Sequence, residues 1–142
     1  MKYSGSEATP KILVVDDRPE NLLAIKYALV GLDANIITAG SGNEALSLSL
    51  VNDFAVVLLD VQMPEMDGFE VATLLRENEG GEDQPIIFVS AYGGDSAHLS
   101  QGYSVGAVDY LTKPIDPVIL RSKVSVFLEL NRSRKQLEEQ NA

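Results

Sequence analysis

The chain has 142 residues, no cysteine, and eleven basic against twenty-one acidic residues, which gives a formal net charge of −10. This length is typical of one domain with its own core, and the missing cysteines exclude disulfides and thiolate metal sites. The negative charge disfavours nucleic acid as a direct partner. A polar N-terminus and the lack of any apolar run long enough to span a bilayer predict a soluble, cytoplasmic protein without a membrane partner.

Five apolar runs rich in β-branched residues alternate with helical patterns along the chain. The predicted strands are 11–15, 35–39, 54–60, 85–91 and 107–114. The predicted helices begin at residue 18, 43, 68, about 96 and about 118. Alternation of this kind predicts an α/β fold, with a doubly wound, five-stranded parallel sheet covered by helices on both faces.

Several residues mark where the predicted helices begin and end. Pro19 fits the first turn of the first helix, and Gly31 is a stop signal after it. At the start of the second helix, Ser41 and Glu44 have the spacing of a capping box. Asp116 before a proline is a good cap for the last helix.

The last helix is predicted to be long, with a sheet-facing part and a polar extension. The residues expected to face the sheet are Val118, Ile119, Val124, Phe127 and Leu128. In the polar part, Leu130 and Leu137 are one heptad apart. This spacing fits either a solvated helix end or the start of a two-stranded coiled coil, since fewer than two heptads remain.

Polar side chains from four strand ends should meet at one edge of the sheet: Asp16 and Asp17, Asp60, Ser90, and Lys113. Clustered carboxylates repel one another unless a cation joins them, and a hard divalent ion such as Mg²⁺ has the matching preference for oxygen. The lysine and the hydroxyl could bind the oxygens of a phosphoryl group. Asp60 could then be a metal ligand, a nucleophile or both.

These motifs together resemble the receiver (response regulator) domain of two-component signalling. The resemblance covers residues 11–130 and rests on the acidic pair, the turn Asp60-x-x-Met63-Pro64-x-Met66-Asp67-Gly68, the pair Ser90-Ala91, and Tyr110-x-x-Lys113-Pro114. It implies a flavodoxin-like sheet with strand order 2-1-3-4-5. Residues 1–10 would then be a leader or linker, and residues 131–142 a helical tail or connector.

The resemblance implies that Asp60 is the phosphoacceptor in a Mg²⁺ site. Asp17, Asp60 and the backbone carbonyl of Gln62 would bind the ion, and Asp16 would act on it mostly through water. The phosphoryl group would come from the phosphohistidine of a sensor histidine kinase or from a phosphotransfer protein. The domain would be a signalling module rather than an enzyme, although it would assist its own phosphorylation and dephosphorylation.

Further roles follow from the same resemblance. Lys113 would pair with the phosphoryl oxygens, Ser90 would hydrogen-bond one of them, and Tyr110 would change its burial as Ser90 moves. Gln62 and Tyr92 occupy positions that tune hydrolysis of the acyl phosphate. The Lys113–Pro114 peptide bond would be cis.

Other functions fit the sequence less well. An aspartyl-phosphate phosphohydrolase would need an acid two residues after its nucleophile, where this chain has Gln62. Val15 to Pro19 contains no glycine-rich phosphate loop, and His98 is expected to be a surface residue. The main alternative is a receiver-like interaction module that works without phosphorylation. A homodimer through the C-terminal helix is a further hypothesis, as is the idea that the chain is a segment of a longer protein.

Overall fold

The computed structural model describes residues 9–78, 80–91 and 109–140. Within these ranges the chain alternates between strands and helices, as the apolar runs predicted. The strands are β1 (Lys11–Val15), β2 (Asn35–Ala39), β3 (Val56–Asp60), β4 (Ile86–Ser90) and β5 (Asp109–Thr112). The helices are α1 (Pro19–Ala28), α2 (Gly42–Val51), α3 (Gly68–Glu77) and α4 (Pro117–Gln140).

The five strands form one parallel sheet in the order β2-β1-β3-β4-β5, which confirms the predicted fold class. Val15, the last residue of β1, pairs with Ala39 of β2 and Leu59 of β3. Asp60 pairs with Val89 of β4. Because this register aligns the carboxyl ends of the strands, the last residue of β3 and the residues that follow β1 and β5 meet at one edge of the sheet.

Two hydrophobic clusters cover the two faces of the sheet, as expected for parallel strands that read as continuous apolar runs. Helices α2 and α3 cover one face, where Leu59 and Phe88 are fully buried. Helices α1 and α4 cover the other face, where Leu58 and Ile87 are buried. Successive residues of a strand point to opposite faces, so β3 contributes to both clusters and is buried along its whole length.

The helix-start signals are largely confirmed. Pro19 is the first residue of α1, and the Oδ1 atom of Asp116 accepts hydrogen bonds from the backbone N–H groups of Val118 and Ile119. Helix α1 ends at Ala28, three residues before Gly31, which has a φ of +96°.

The capping box predicted for α2 is only half present. Ser41 Oγ accepts the N–H of Glu44, but Glu44 Oε1 accepts the N–H of Gly40 instead of that of Ser41. The side chain of Glu44 thus reaches one residue further back along the chain than a capping box requires.

The predicted sheet-facing side of the last helix is wrong in its first turn. Val118 and Ile119 are 75% and 47% exposed, whereas Leu120 is fully buried. The buried positions are Leu120, Val124 and Leu128, which are spaced by four residues, and Phe127 packs beside them. Val118, Ile119 and Leu120 are three apolar residues in succession, so their pattern in the sequence does not indicate which of them faces the sheet.

Some expectations lie outside the described residues. These are the helix near residues 96–104 together with His98, the tuning position Tyr92, and the first residues of the predicted fifth strand. Leu130 and Leu137 are described, and both are exposed on α4. Among the described residues, no helix combines the length and apolar character that crossing a membrane would require.

Candidate functional site

The carboxyl edge of the sheet brings together the acidic residues expected there. One carboxylate oxygen from each of Asp16, Asp17 and Asp60 lies within 4.8 Å of the other two. Asp16 and Asp60 are 1% and 5% exposed, whereas Asp17 lies at the surface. The cluster is therefore a shallow acidic site with two buried carboxylates and one exposed carboxylate.

Lys113 comes directly after β5 and reaches across the sheet edge into this cluster. Its Nζ atom lies 2.9 Å from Asp60 Oδ1 and 3.4 Å from Asp16 Oδ2. The shorter distance makes Asp60 the main partner, and one ammonium group is shared between two buried carboxylates.

The electrostatics of the site make Asp60 easier to protonate than an ordinary aspartate. Burial raises the pKa of Asp60 most, the hydrogen bond from Lys113 lowers it, and the charges of Asp16 and Asp17 raise it further, so that the net shift is upward. Burial lowers the pKa of Lys113, but its contacts with Asp60 and Asp16 outweigh burial and raise that pKa overall. The pKa of Asp60 is thus raised mainly because its carboxylate is desolvated, and the two neighbouring acids add to that effect.

Asp16 accepts two hydrogen bonds from the start of α1, one from a backbone N–H group and one from a side chain. Its Oδ1 accepts the N–H of Arg18 at 3.0 Å, and its Oδ2 accepts the side-chain amide of Asn21 at 3.2 Å. Sequence reasoning treated Asn21 only as part of the helix opening. Its position relative to Ile25 and Leu29, which are buried at four-residue spacing, could have indicated a polar side chain on the inner face of α1.

The turn between β3 and α3 explains why glycine follows Asp67. The N–H of Gly68 donates to the carbonyl of Val61 at 2.9 Å. A Cβ atom at residue 68 would collide with the backbone carbonyl oxygen of Asp60. Only glycine allows α3 to begin this close to the end of β3.

A capping box that the sequence analysis missed fixes the start of α3. Asp67 Oδ1 accepts the N–H of Glu70 at 2.9 Å, and Glu70 Oε1 accepts the N–H of Asp67 at 3.0 Å. Its sequence signal was present, because an acidic N-cap with glutamate three residues later has the required spacing. Within the same turn, Glu65 has a φ of +70°, which is unusual for a residue other than glycine.

The remaining predicted residues have different degrees of exposure. Ser90 ends β4 and is 1% exposed, so its hydroxyl group is not at the open surface. Tyr110 is half-buried, with its ring centroid 5.6 Å from that of Phe88. Gln62 is exposed two residues after β3. The Lys113–Pro114 peptide bond is cis, as expected.

The donor set fits a hard divalent cation. Three carboxylates face one ammonium group, so two negative charges remain unbalanced where Asp16 and Asp60 are already desolvated. Oxygen-only ligands with few carboxylates are those that Mg²⁺ uses together with water and phosphate. These residues could therefore hold such an ion.

The family model of the response regulator receiver domain matches residues 12–125 of the sequence. The chain belongs to this family. Its members are the phosphoacceptors of two-component systems, and this chain is accordingly a receiver domain in two-component signal transduction. That membership also agrees with the acidic cluster and with the strand order described above.

Similar proteins include the transcriptional regulatory protein SrrA of Staphylococcus aureus, which is 40% identical over 115 residues. The match covers 80% of this chain and 46% of SrrA, so the chain spans about half the length of that relative. The chemotaxis protein CheY4 of Vibrio cholerae has a TM-score of 0.80 at 29% identity, over 84% of this chain and 99% of CheY4. The BeF3-activated receiver domain of DrrB from Thermotoga maritima has a TM-score of 0.75 at 31% identity, over 86% of this chain and 99% of that domain.

Proposed function

We propose that Asp60 is the residue that accepts the phosphoryl group. The observation that carries this proposal is the pairing of Asp60 Oδ1 with Lys113 Nζ at 2.9 Å, at the end of the central strand β3. Burial and two neighbouring acids raise the pKa of Asp60, which is the kind of perturbation found at reactive carboxylates. Asp60 is also the last residue of its strand in an open α/β sheet, and ligands of such sheets bind just beyond the carboxyl ends of the strands.

The proposed reaction transfers a phosphoryl group from a phosphohistidine to the Asp60 carboxylate. A carboxylate oxygen forms a bond to phosphorus while the phosphorus–nitrogen bond of the donor breaks, and the electron pair of that bond leaves with the imidazole. In the unphosphorylated structure Lys113 donates to Asp60 Oδ1, and after phosphorylation it would donate to a phosphoryl oxygen instead. The product is an acyl phosphate on Asp60.

The acidic cluster is the proposed Mg²⁺ site. Asp17, Asp60 and the backbone carbonyl of Gln62 would bind the ion, and Asp16 would act mostly through water. The ion would supply the positive charge that lets a dianionic phosphoryl group approach three carboxylates. This role fits a site in which Lys113 alone leaves net negative charge.

The proposed switch runs through Ser90 and Tyr110. A phosphoryl group on Asp60 would add acceptor oxygens, and the Ser90 hydroxyl at the end of the neighbouring strand would move to bind one of them. The half-buried Tyr110 packs on Phe88 and would turn inward as Ser90 moves. Gln62 and Tyr92 are proposed to tune the hydrolysis rate. Unchanged dephosphorylation in Tyr92→Ala would remove Tyr92 from that role.

The first test of the phosphoacceptor is the intact mass of the protein after incubation with a small acyl phosphate and Mg²⁺. We expect one added phosphoryl group, which should be absent in Asp60→Asn and after chelation of the metal. If the folded protein takes up no phosphoryl group, the alternative function of a receiver-like interaction module gains support. A phosphoryl group that persists in Asp60→Asn would place the acceptor elsewhere.

The proposed partner is a sensor histidine kinase or a phosphotransfer protein. The net charge of −10 disfavours nucleic acid as a direct ligand of this domain. A homodimer through α4 is also proposed, because Leu130 and Leu137 are 58% and 59% exposed and lie one heptad apart. A monomer in sedimentation experiments, both with and without phosphorylation, would exclude that dimer.

A further inference from the structure

Asn21 is a polar residue on the inner face of α1. It lies four residues before Ile25 and eight residues before Leu29, which are both buried, and it is itself half-buried. Its side-chain amide donates to Asp16 Oδ2 at 3.2 Å. Asn21 therefore contacts the acidic cluster from the helix, whereas Asp16, Asp60 and Lys113 reach the cluster from strand ends.

Among the described residues, the hydrogen bond of the Asn21 side chain goes to Asp16 rather than to the backbone of α1. The N-cap position of α1, Arg18, makes no side-chain capping hydrogen bond. The backbone N–H of Asn21 is already satisfied by the carbonyl of Arg18 at 3.0 Å. Asparagine is also a weaker helix former than leucine or alanine in helix interiors. The contact with Asp16 is what distinguishes Asn21 from a better helix former.

Asn21 and Lys113 share one oxygen of Asp16. Lys113 Nζ is 3.4 Å from Asp16 Oδ2, the atom that accepts the amide of Asn21, and 2.9 Å from Asp60 Oδ1. The Oδ1 atom of Asp16 is held by the N–H of Arg18. The amide is a neutral donor, so its hydrogen bond orients Asp16 without adding a positive charge to the site.

We propose that Asn21 is a positioning residue that orients the Asp16 carboxylate for the divalent cation and leaves Lys113 available to Asp60. This inference rests on the proposed function, since it concerns the same site. Without the amide, the hydrogen bond from the N–H of Arg18 would still hold Asp16 Oδ1, but the carboxylate could rotate. It would then compete more strongly with Asp60 for Lys113. The metal site would lose a pre-oriented carboxylate, and the Lys113–Asp60 pair would weaken.

The test is the affinity of the unphosphorylated protein for Mg²⁺, measured by titration calorimetry. Asn21→Leu is the main variant, because leucine has a similar size, lacks the amide donor and suits the apolar groove that residue 21 lines beside Ala24 and Ile25. We expect the dissociation constant to rise about tenfold, the lower end of what loss of an outer-shell partner costs. Asn43→Leu, on the exposed surface of α2, is the matched control and should bind Mg²⁺ as the parent protein does.

A double-mutant cycle separates positioning from a general structural effect. If Asn21 acts through Asp16, then adding Asn21→Leu to Asp16→Asn should weaken binding little beyond Asp16→Asn alone. Unchanged affinity in Asn21→Leu would overturn the inference, and so would a tenfold loss that persists in the Asp16→Asn background. Unfolding of both Asn21→Leu and Asn21→Ala in metal-free melting experiments would assign Asn21 a structural role instead.

The parent protein distinguishes failure of this inference from failure of the proposed function. A parent that binds Mg²⁺ and gains a phosphoryl group lost in Asp60→Asn keeps the proposed function, whatever Asn21→Leu does. A parent that does neither removes the proposed function and this inference together.

Discussion

The ends of β1 and β3 each bury an aspartate at the same edge of the sheet, but they hold it differently. Asp16 accepts hydrogen bonds from a backbone N–H, an amide and Lys113. In the described part of the chain, Asp60 has the single ion-pair partner Lys113. Burial, together with the charges of Asp16 and Asp17, raises the pKa of Asp60.

We propose that this difference separates a fixed acid, Asp16, from a reactive acid, Asp60, within one site. Neutral donors from α1 orient Asp16 and make it part of the framework. Asp60 lies in a desolvated position where its negative charge is poorly compensated, so it gains from any cation that enters. A carboxylate in that environment is suited to bind a metal ion or to accept a phosphoryl group.

The largest expected effect is that of Lys113→Met, which removes the cation shared by the two acids. We expect the rate of phosphorylation by a small acyl phosphate to fall roughly hundredfold, as for the loss of one preorganised donor to a developing charge. The matched control is Lys123→Met, because Lys123 forms a 2.8 Å ion pair with Asp109 and is similarly half-buried. Equal losses in the two variants would mean that charge or stability, rather than position at the site, governs the rate.

Gly68→Ala should disturb the end of β3 without removing any functional group. The added Cβ would collide with the carbonyl oxygen of Asp60, so the strand end or the start of α3 must shift. We expect the free energy of unfolding to fall by about 1–3 kcal/mol, and the phosphorylation rate to fall by about tenfold or more. Denaturant unfolding and mass spectrometry measure the two effects.

The control for this variant is Gly80→Ala. Gly80 has a φ of +84°, but no atom lies within 4 Å of its added Cβ. Backbone strain should cost about 1 kcal/mol there without changing phosphorylation. A slower phosphorylation rate in Gly80→Ala would show that lowered stability alone explains the effect at residue 68.

Asparagine substitutions at the two buried acids should change stability in opposite directions in the absence of metal. Asp16 accepts hydrogen bonds from Arg18, Asn21 and Lys113, and an asparagine would face these donors with an NH₂ group or with a weaker acceptor. Asp16→Asn should therefore lower the free energy of unfolding by about 1–2 kcal/mol. Asp60→Asn removes a poorly compensated buried charge and should raise the melting temperature by a few degrees. Thermal melting of both variants at pH 7 measures the difference. Destabilisation by Asp60→Asn would mean that the ion pair with Lys113 outweighs burial.

The stabilisation by Asp60→Asn should depend on pH. Because the pKa of folded Asp60 is raised above 3.8, the folded state binds a proton more tightly than the unfolded state does. Ionisation of Asp60 therefore lowers stability as pH rises from about 4 through the raised pKa. The advantage of Asp60→Asn over the parent should be absent below pH 4 and complete above the raised pKa, in melts recorded across that range.

The smallest effect is expected far from both strand ends, in the outer part of α4. Removal of residues 131–142 should change the free energy of unfolding by less than about 0.5 kcal/mol. Leu137 is 59% exposed, and the nearest side-chain ion pair, between Arg132 and Glu129, lies on the surface. A larger loss in chemical denaturation would place part of the folding unit beyond residue 130.

The sheet and most of its site could be predicted because their signals are local. Continuous apolar runs defined the five strands, and parallel pairing then required Asp60 and Lys113 to share an edge. Individual contacts were less predictable. Leu120, rather than Val118 or Ile119, faces the sheet, because the register of α4 is set by packing against α1 and the strands.

Asn21 shows the same limit at the site. Its identity was visible in the sequence, but its contact with Asp16 depends on how α1 turns after β1, which is a tertiary property. The capping box of Asp67 and Glu70, by contrast, is local and could have been recognised from spacing alone.

The most direct test of the contrast between the two acids is to locate the phosphoryl group. The protein would be phosphorylated with a small acyl phosphate and Mg²⁺, and the acyl phosphate reduced with borohydride, which converts a phosphorylated aspartate to homoserine. Peptide mass spectrometry would then locate the homoserine. We predict homoserine at residue 60 and unmodified aspartate at residues 16 and 17. Homoserine at residue 16 or 17, with Asp60 unmodified, would contradict the assignment of Asp60 as the reactive acid and Asp16 as the fixed one.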